Sequence, residues 1–313
     1  MEGQMHTPVD LLILGAGWTS TFLITLCADR GVTYAGTSRA GREGTIKFAF
    51  DPDSDDPTPY TVLPDARTVL ITFPIDKPGA SQRLVQLYSQ TRLTQESEPR
   101  FIQLGTTSIW DGGRGATRTS SPESKWYDRH STFTPTPRAN AETELLQLAP
   151  QFLTSVINLA GLWGGTRSPR NWVARIASAK DVLKEKGSLH LIHGSDIAHI
   201  VLAMHAHKDF SPFLGQRWIL TDGRVYDWWD LASAWGTPSS APSSSNLNAP
   251  TDEVSSTAES DRGPQPGWVR ELMAEAGVRA LPRNVELLGR ALDSRELWDT
   301  VGLSPLYARV EDK

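Results

Sequence analysis

Internal disulfides are excluded at once, because the 313-residue chain holds a single cysteine, Cys27. It falls on the apolar face of a helix-like stretch, where a small buried thiol is the expected role. Apolar runs of the roughly 18 residues needed to span a bilayer are missing. So is a basic segment followed by an apolar one near the start. The expected setting is therefore cytoplasmic, with no membrane partner. Positive charge is in deficit: 31 Lys and Arg stand against 36 Asp and Glu, a formal net charge of −5. That balance argues against a nucleic-acid-binding surface as the main business of the chain, and no nucleic-acid partner is expected. The acidic turn DPDSDDP, from Asp51 to Pro57, lacks the central glycine and terminal glutamate of a calcium loop. It reads as a solvated turn, and no metal site is expected. No internal repeat is found.

What remains is an ordinary globular composition, 39% hydrophobic and 21% charged, long enough for one or two domains with a real core. Eleven tryptophans are many for this length and should serve as core or pocket lining. The chain is organised around Val9 to Ser20, VDLLILGAGWTS. Leu11 to Leu14 is an apolar run of strand length, and it leads directly into Gly15-Ala16-Gly17. Beyond it Phe22, Leu23, Leu26 and Cys27 recur at helical spacing, with Gly31 where a helix C-cap belongs. Strand, glycine turn and helix together aim backbone N–H groups and a helix N-terminus at a phosphate. Gly15 permits the tight turn, and Gly17 lets a diphosphate approach the backbone. Ser20 replaces the third glycine of the G-x-G-x-x-G pattern; it is small enough for close packing, but the match is incomplete. On this basis Gly15, Ala16, Gly17, Trp18 and Thr19 are expected to bind the phosphates of a dinucleotide.

Val32 to Thr37 reads as a second strand, ending at Ser38-Arg39. In a nucleotide-binding βαβ unit this position meets the adenosine ribose. An acidic residue here would hold the 2′-hydroxyl of NAD, whereas a hydroxyl and a guanidinium suit the 2′-phosphate of NADP. NADP is therefore the expected cofactor, with NAD less favoured. Ile46 to Phe50 alternates as a third strand, and Asp51 at its end could touch an adenine amino group. Thr68 to Phe73 is a fourth strand, closed by Pro74; Phe73 and Pro74 should lie over the cofactor. Ser81 to Leu93 reads as a helix. Phe101 to Leu104 is a fifth strand, followed by hydroxyl residues including Thr106 and Ser108, where ligands bind in open α/β sheets.

A loop from Asp111 to Pro137 and a helix from Arg138 to Leu148 precede a sixth strand, Val156 to Leu159. Further helices are expected over Asn171 to Lys184, Asp196 to His207, Tyr226 to Trp235, Trp268 to Ala276 and Val285 to Val301, with short strands at His190 to His193 and Trp218 to Leu220. Gly236 to Gly263 is dense in Ser, Pro, Thr and Asn and poor in large apolar residues, so it reads as a disordered insertion. The alternation implies an α/β fold, a doubly wound parallel sheet of Rossmann type with a small C-terminal α/β portion. The expected division places a dinucleotide-binding domain at 8–165, with 188–207 returning to it. A substrate-binding portion spans 166–313, interrupted by the insertion at 236–263.

Several motifs now match one family in order. GAGWTS resembles the glycine turn of the short-chain dehydrogenase/reductase superfamily, in its extended and atypical branches. TTSIWD, Thr106 to Asp111, is similar to that family's Ser-Ser-x-x-Val-Tyr-Gly run. AGLWGGTR, Ala160 to Arg167, is similar to its Gly-Ile-Tyr-Gly-Pro-Gly-Arg turn, and HGSDIA, His193 to Ala198, to its His-Val-Asp-Asp-Leu-Ala motif. The segment ALDSRELWDTVGLSPLY resembles its C-terminal stretch. The resemblance implies an NAD(P)-binding Rossmann fold of the NAD-dependent epimerase/dehydratase kind. It also implies a Tyr and a Lys four residues later as the catalytic pair. Here Arg138 and Glu142 occupy those positions, and neither can do the original work. Thr106 matches the position of the family's catalytic Ser/Thr.

Two functions follow. One is an NADP-dependent oxidoreductase or epimerase-like enzyme acting on a small carbonyl or hydroxyl substrate. Thr106 or Ser108 would hydrogen-bond the substrate, and Arg138 would neutralise an oxyanion or hold an anionic group. The other is a non-catalytic NAD(P)-binding sensor or scaffold, favoured by loss of the Tyr-Lys pair. Tyr127 stands as a replacement acid or an ordinary loop tyrosine, and His193 is expected to make a structural hydrogen bond. A monomer and a homodimer are both compatible with the sequence.

Overall fold

The computed structural model describes residues 7–92, 98–111, 125–237 and 262–310. The expected disordered insertion, except for its two ends, lies outside them. Seven parallel strands form the central sheet: β1 (Val9–Leu14), β2 (Tyr34–Ser38), β3 (Ile46–Lys47), β4 (Ala66–Ile71), β5 (Arg100–Thr106), β6 (Leu153–Leu159) and β7 (Gln216–Leu220). Their spatial order is β7-β6-β5-β4-β1-β2-β3, and every neighbouring pair is parallel. The order reverses between β1 and β4, so the carboxyl ends of those two strands flank the crevice where open α/β sheets bind ligands.

The strands read as unbroken apolar runs because both faces are covered. Leu11 and Ile13 face one apolar cluster with Leu23 and Cys27 of α1 (Trp18–Asp29) and Ile197, Ile200 and Val201 of α4 (Gly194–Ala206). Leu12 and Leu14 face the other, with Leu84 and Val85 of α2 (Ala80–Gln90) and Ala141 and Leu145 of α3 (Pro137–Gln147). Helix α1 stops as expected: Gly31 takes φ +65°, and Val32 N–H donates back to Cys27 O at 2.9 Å. Burial pushes the Cys27 thiol up to about 11, so it stays protonated and inert.

A further apolar cluster gathers Trp163, Val173, Leu183 and Leu191 with Trp228, Trp229 and Leu231 of the helix Trp228–Trp235 and Val269 and Leu272 of the helix Gln265–Ala276. Two expected helices are broken. The stretch from 171 to 184 becomes a 3₁₀ turn and two short helices, Val173–Ile176 and Lys180–Lys184. The stretch from 285 to 301 becomes a 3₁₀ turn, a strand Arg290–Leu292 and a helix Arg295–Val301. That strand pairs in parallel with Lys125–Tyr127, inside a segment expected to be loop. Tyr127 is thereby a strand residue packed against the Ile109–Trp110 cluster.

Candidate cofactor and active site

The glycine turn is built by what it lacks. Gly15 takes φ +90°, and a Cβ there would lie 2.8 Å from Thr72 Oγ1 and 3.1 Å from Phe73 Cδ1. A side chain at Gly17 would meet only Gly15 O, at 3.8 Å, so the space above this residue is open. The turn is held from both flanking strands. Gly15 N–H donates to Thr37 Oγ1 at 2.9 Å and Ala16 N–H to Thr37 O at 2.7 Å. Thr72 Oγ1 donates to Gly15 O at 2.5 Å. Among the described residues, the N–H groups of Gly17, Trp18 and Thr19 at the start of α1 have no acceptor. They are the orphan donors of the first helical turn, with the positive end of the helix dipole behind them.

A cavity of about 590 Å³ opens at this turn. Its floor is Gly15, Ala16 and Gly17, and Thr37, Ser38 and Arg39 line it at the end of β2. Phe73 and Pro74 line it at the end of β4. Arg39 is exposed, and no carboxylate pairs with it among the described residues. The Ser38 hydroxyl is already engaged: it lies 2.7 Å from Thr45 Oγ1 and accepts Arg42 N–H at 3.0 Å, closing the turn after β2. Sequence reasoning missed Arg42, whose Nη2 donates to Ala16 O across the cavity wall. A second basic residue within four positions of the strand end was the available signal.

Three expected cofactor residues do not line this cavity. Asp51 turns onto its own loop, its Oδ1 accepting Asp53 N–H at 3.0 Å. The wall there is instead apolar: Phe48, Phe50 and Pro52, with Phe50 stacked on Phe73 at 5.7 Å. Thr19 is buried. The Trp18 Nε1 donates to Gly164 O at 3.3 Å, and its indole does not plug the cavity. The acidic turn beyond Asp51 is pinned rather than free. Asp53 pairs with Lys77, and Arg83 donates to Asp55 Oδ1 at 2.6 Å and to Pro52 O at 2.5 Å. These contacts hold the Phe50–Pro52 wall against the segment that follows β4.

The expected catalytic residues sit at the carboxyl end of β5. Thr106 Oγ1 lies 3.2 Å from Ser108 Oγ and accepts Ser108 N–H at 3.2 Å. Ser108 is exposed and Thr106 half-buried. Arg138, at the start of α3, donates through Nη2 to Leu104 O at 3.0 Å, and its Nε lies 3.3 Å from Glu142 Oε1. Glu142 is fully buried. It pairs with Arg217 of β7 and accepts Asn158 Nδ2–H at 2.8 Å. Asn158 also donates to Thr106 O at 3.0 Å, and Arg217 to Thr143 Oγ1 at 3.2 Å. Gly105 makes room: a Cβ there would lie 2.6 Å from Glu142 Oε1. The two positions matching the Tyr-Lys pair therefore form one end of a packed ionic network beneath the β5 strand end.

Two motifs far apart in sequence meet beside the turn at Gly164. Asp196 is buried and accepts Leu306 N–H at 2.7 Å and Tyr307 N–H at 3.3 Å. Tyr307 in turn stacks on His193 with ring centroids 3.7 Å apart. His193 makes the expected structural bond, its Nδ1 accepting Ser195 N–H at 3.2 Å. Burial brings its pKa down to about 4, so the ring is neutral with its proton on Nε2. Among the described residues no cluster of His, Cys, Asp or Glu could hold a metal ion, and no helix is long and apolar enough to cross a membrane.

Solved structures share this architecture. The dTDP-glucose 4,6-dehydratase of Bacillus anthracis, in complex with NAD, aligns with a TM-score of 0.55 at 11% identity, covering 96% of this chain and 92% of its own. RMD from Pseudomonas aeruginosa, complexed with NADPH, aligns at 0.54 and 12%, covering 95% and 93%. Vestitone reductase from alfalfa, Medicago sativa, aligns at 0.58 and 12%, covering 96% and 94%. At these identities the likeness establishes the fold. No protein-family model and no curated protein sequence matches this chain.

Proposed function

We propose that the chain is an NADP-dependent oxidoreductase or epimerase-like enzyme acting on a small carbonyl or hydroxyl substrate. The observation that carries this reading is the continuous cavity from the Gly15–Gly17 turn to Arg39. It offers unpaired amides and a helix N-terminus at one end and an unpaired guanidinium at the other. A dinucleotide with a phosphate on its adenosine ribose carries an anion for each end. The residues that line the cavity at the end of β2, Thr37, Ser38, Arg39 and Arg42, include no carboxylate to hold a free 2′-hydroxyl; the Ser38 hydroxyl is spent on the turn, and Arg39 and Arg42 supply planar donors for phosphate. The apolar wall of Phe48, Phe50 and Phe73 suits an adenine face. Gly15 and Gly17 keep the phosphate end clear of side chains, so the residues present fit this cofactor.

When bound, the nicotinamide supplies hydride chemistry. The residues of the chain position and polarise. Thr106 and Ser108 offer two adjacent hydroxyls for a substrate carbonyl or hydroxyl. Arg138, held rigid by Glu142 and Leu104 O, places a fixed positive charge beside them for a developing oxyanion. The substrate portion would come from the residues after Gly165. Titration with NADPH and NADH, followed by tryptophan fluorescence, tests the reading: tighter binding of NADPH is expected, and no response at millimolar cofactor overturns it. Loss of NADPH absorbance over a panel of carbonyl compounds then tests turnover. Binding without turnover across that panel would leave a sensor in place of an enzyme.

A further inference from the structure

We propose that Arg167 is a ligand for the diphosphate of the cofactor, supplied by the chain segment that follows β6 and not by the glycine turn itself. This rests on the dinucleotide reading above and adds a residue to that site. The Arg167 guanidinium carbon lies 4.4 Å from the ring centre of Trp18, the first residue of α1. Stacking occupies the face of a guanidinium and leaves its in-plane N–H donors free for an anion. Arg167 is exposed, and no carboxylate pairs with it among the described residues. A cation held by Trp18 at the first turn of a helix whose three leading amides lack acceptors adds to the positive field that an anion bound there would meet.

The placement is rigid on both sides. Gly164 N–H donates to Arg167 O at 2.8 Å, and Arg167 N–H donates to Gly164 O at 3.0 Å, closing a tight turn. Gly164 takes φ +107° and Gly165 φ +56°, conformations that only glycine adopts without strain. The same Gly164 O accepts the Trp18 indole N–H, so indole and guanidinium are fixed to one turn. The geometry also explains why Trp18 does not line the cavity: its ring serves as a platform for Arg167. Phosphate binding would then clasp the glycine turn to the segment after β6.

The test compares two ligands on the full chain. NADPH carries the diphosphate; adenosine 2′,5′-bisphosphate carries the adenosine end and a single 5′-phosphate. Arg167→Ala is expected to weaken NADPH by ~10-fold, the loss of one charge-assisted contact, and to change the bisphosphate less than ~2-fold. Arg39→Ala should weaken both. Trp18→Leu, with Arg167 intact, should reproduce most of the NADPH loss, and its thermal unfolding reports whether the fold persists. Unchanged NADPH affinity in Arg167→Ala overturns the proposal, as does an equal loss for both ligands. If the wild-type chain binds neither ligand, the dinucleotide reading itself fails.

Discussion

Two arginines of the sheet, Arg39 and Arg217, have opposite fates. Arg39, after β2, lines an open cavity with no ion partner among the described residues. Arg217, in β7, is buried in a network that encloses Glu142 completely and ties both to Asn158. Two glycines differ in the same way. Gly17 looks into open space, while the missing Cβ of Gly105 is replaced by Asn158 and Glu142. Open donors without acceptors mark a place for a ligand. Donors and acceptors that satisfy one another mark architecture, because a buried charge persists only when it is paired.

The sharpest way to break this comparison is Glu142→Ala. It leaves Arg217 buried without its counter-ion, and a loss of about 3–5 kcal/mol is expected in urea unfolding. NADPH affinity of the folded fraction should stay the same; a specific loss of affinity at unchanged stability would move Glu142 to the ligand side. Arg39→Ala should do the reverse. A loss of about 2 kcal/mol in NADPH binding, near 30-fold, is expected, with NADH changed less than about 2-fold and the melting temperature unmoved. Equal losses for both cofactors would remove the case for NADP.

Asp222 sharpens the architectural side, since it is buried without a cation at hydrogen-bond distance. Burial raises its pKa to about 7, and Tyr226 O–H donates to its Oδ2 at 2.7 Å. Between the ordinary carboxylate range near 4 and pH 7 the folded chain keeps a proton that the unfolded chain releases. Stability therefore falls as pH rises through that window. Asp222→Asn should melt at nearly the wild-type temperature at pH 4 and several degrees higher at pH 8. A pH-independent difference would contradict the burial argument. The smallest effect belongs to Lys77→Ala. Its pair with Asp53 is exposed on both sides, so no measurable change in melting temperature is expected, and only a slight weakening of NADPH.

How much was legible in the chain follows the range of the forces involved. The strand, glycine turn and helix at Val9 to Asp29 could be read because each signal is local: an apolar run, a positive φ, a 3.6-residue period. Arg39 could be read for the same reason, as a basic residue one step past a strand. The stretch from 285 to 301 was misread as one helix because Arg290–Leu292 finds its strand partner at Lys125–Tyr127, some 165 positions earlier. The contacts of Trp18 could not be read, because they depend on a turn at Gly164 to Arg167. The bond that Asp51 accepts from Asp53 N–H depends on the conformation of its own turn, which the sequence pattern leaves open.

The sequence by itself determined the parallel α/β architecture and the place of its glycine turn, since periodicity and glycine conformations act over a few residues. Which arginines remain free and which are consumed was decided only in three dimensions. Ionic pairing is settled by distance through space, and Glu142 meets Arg217, 75 residues away, only after β7 joins the edge of the sheet.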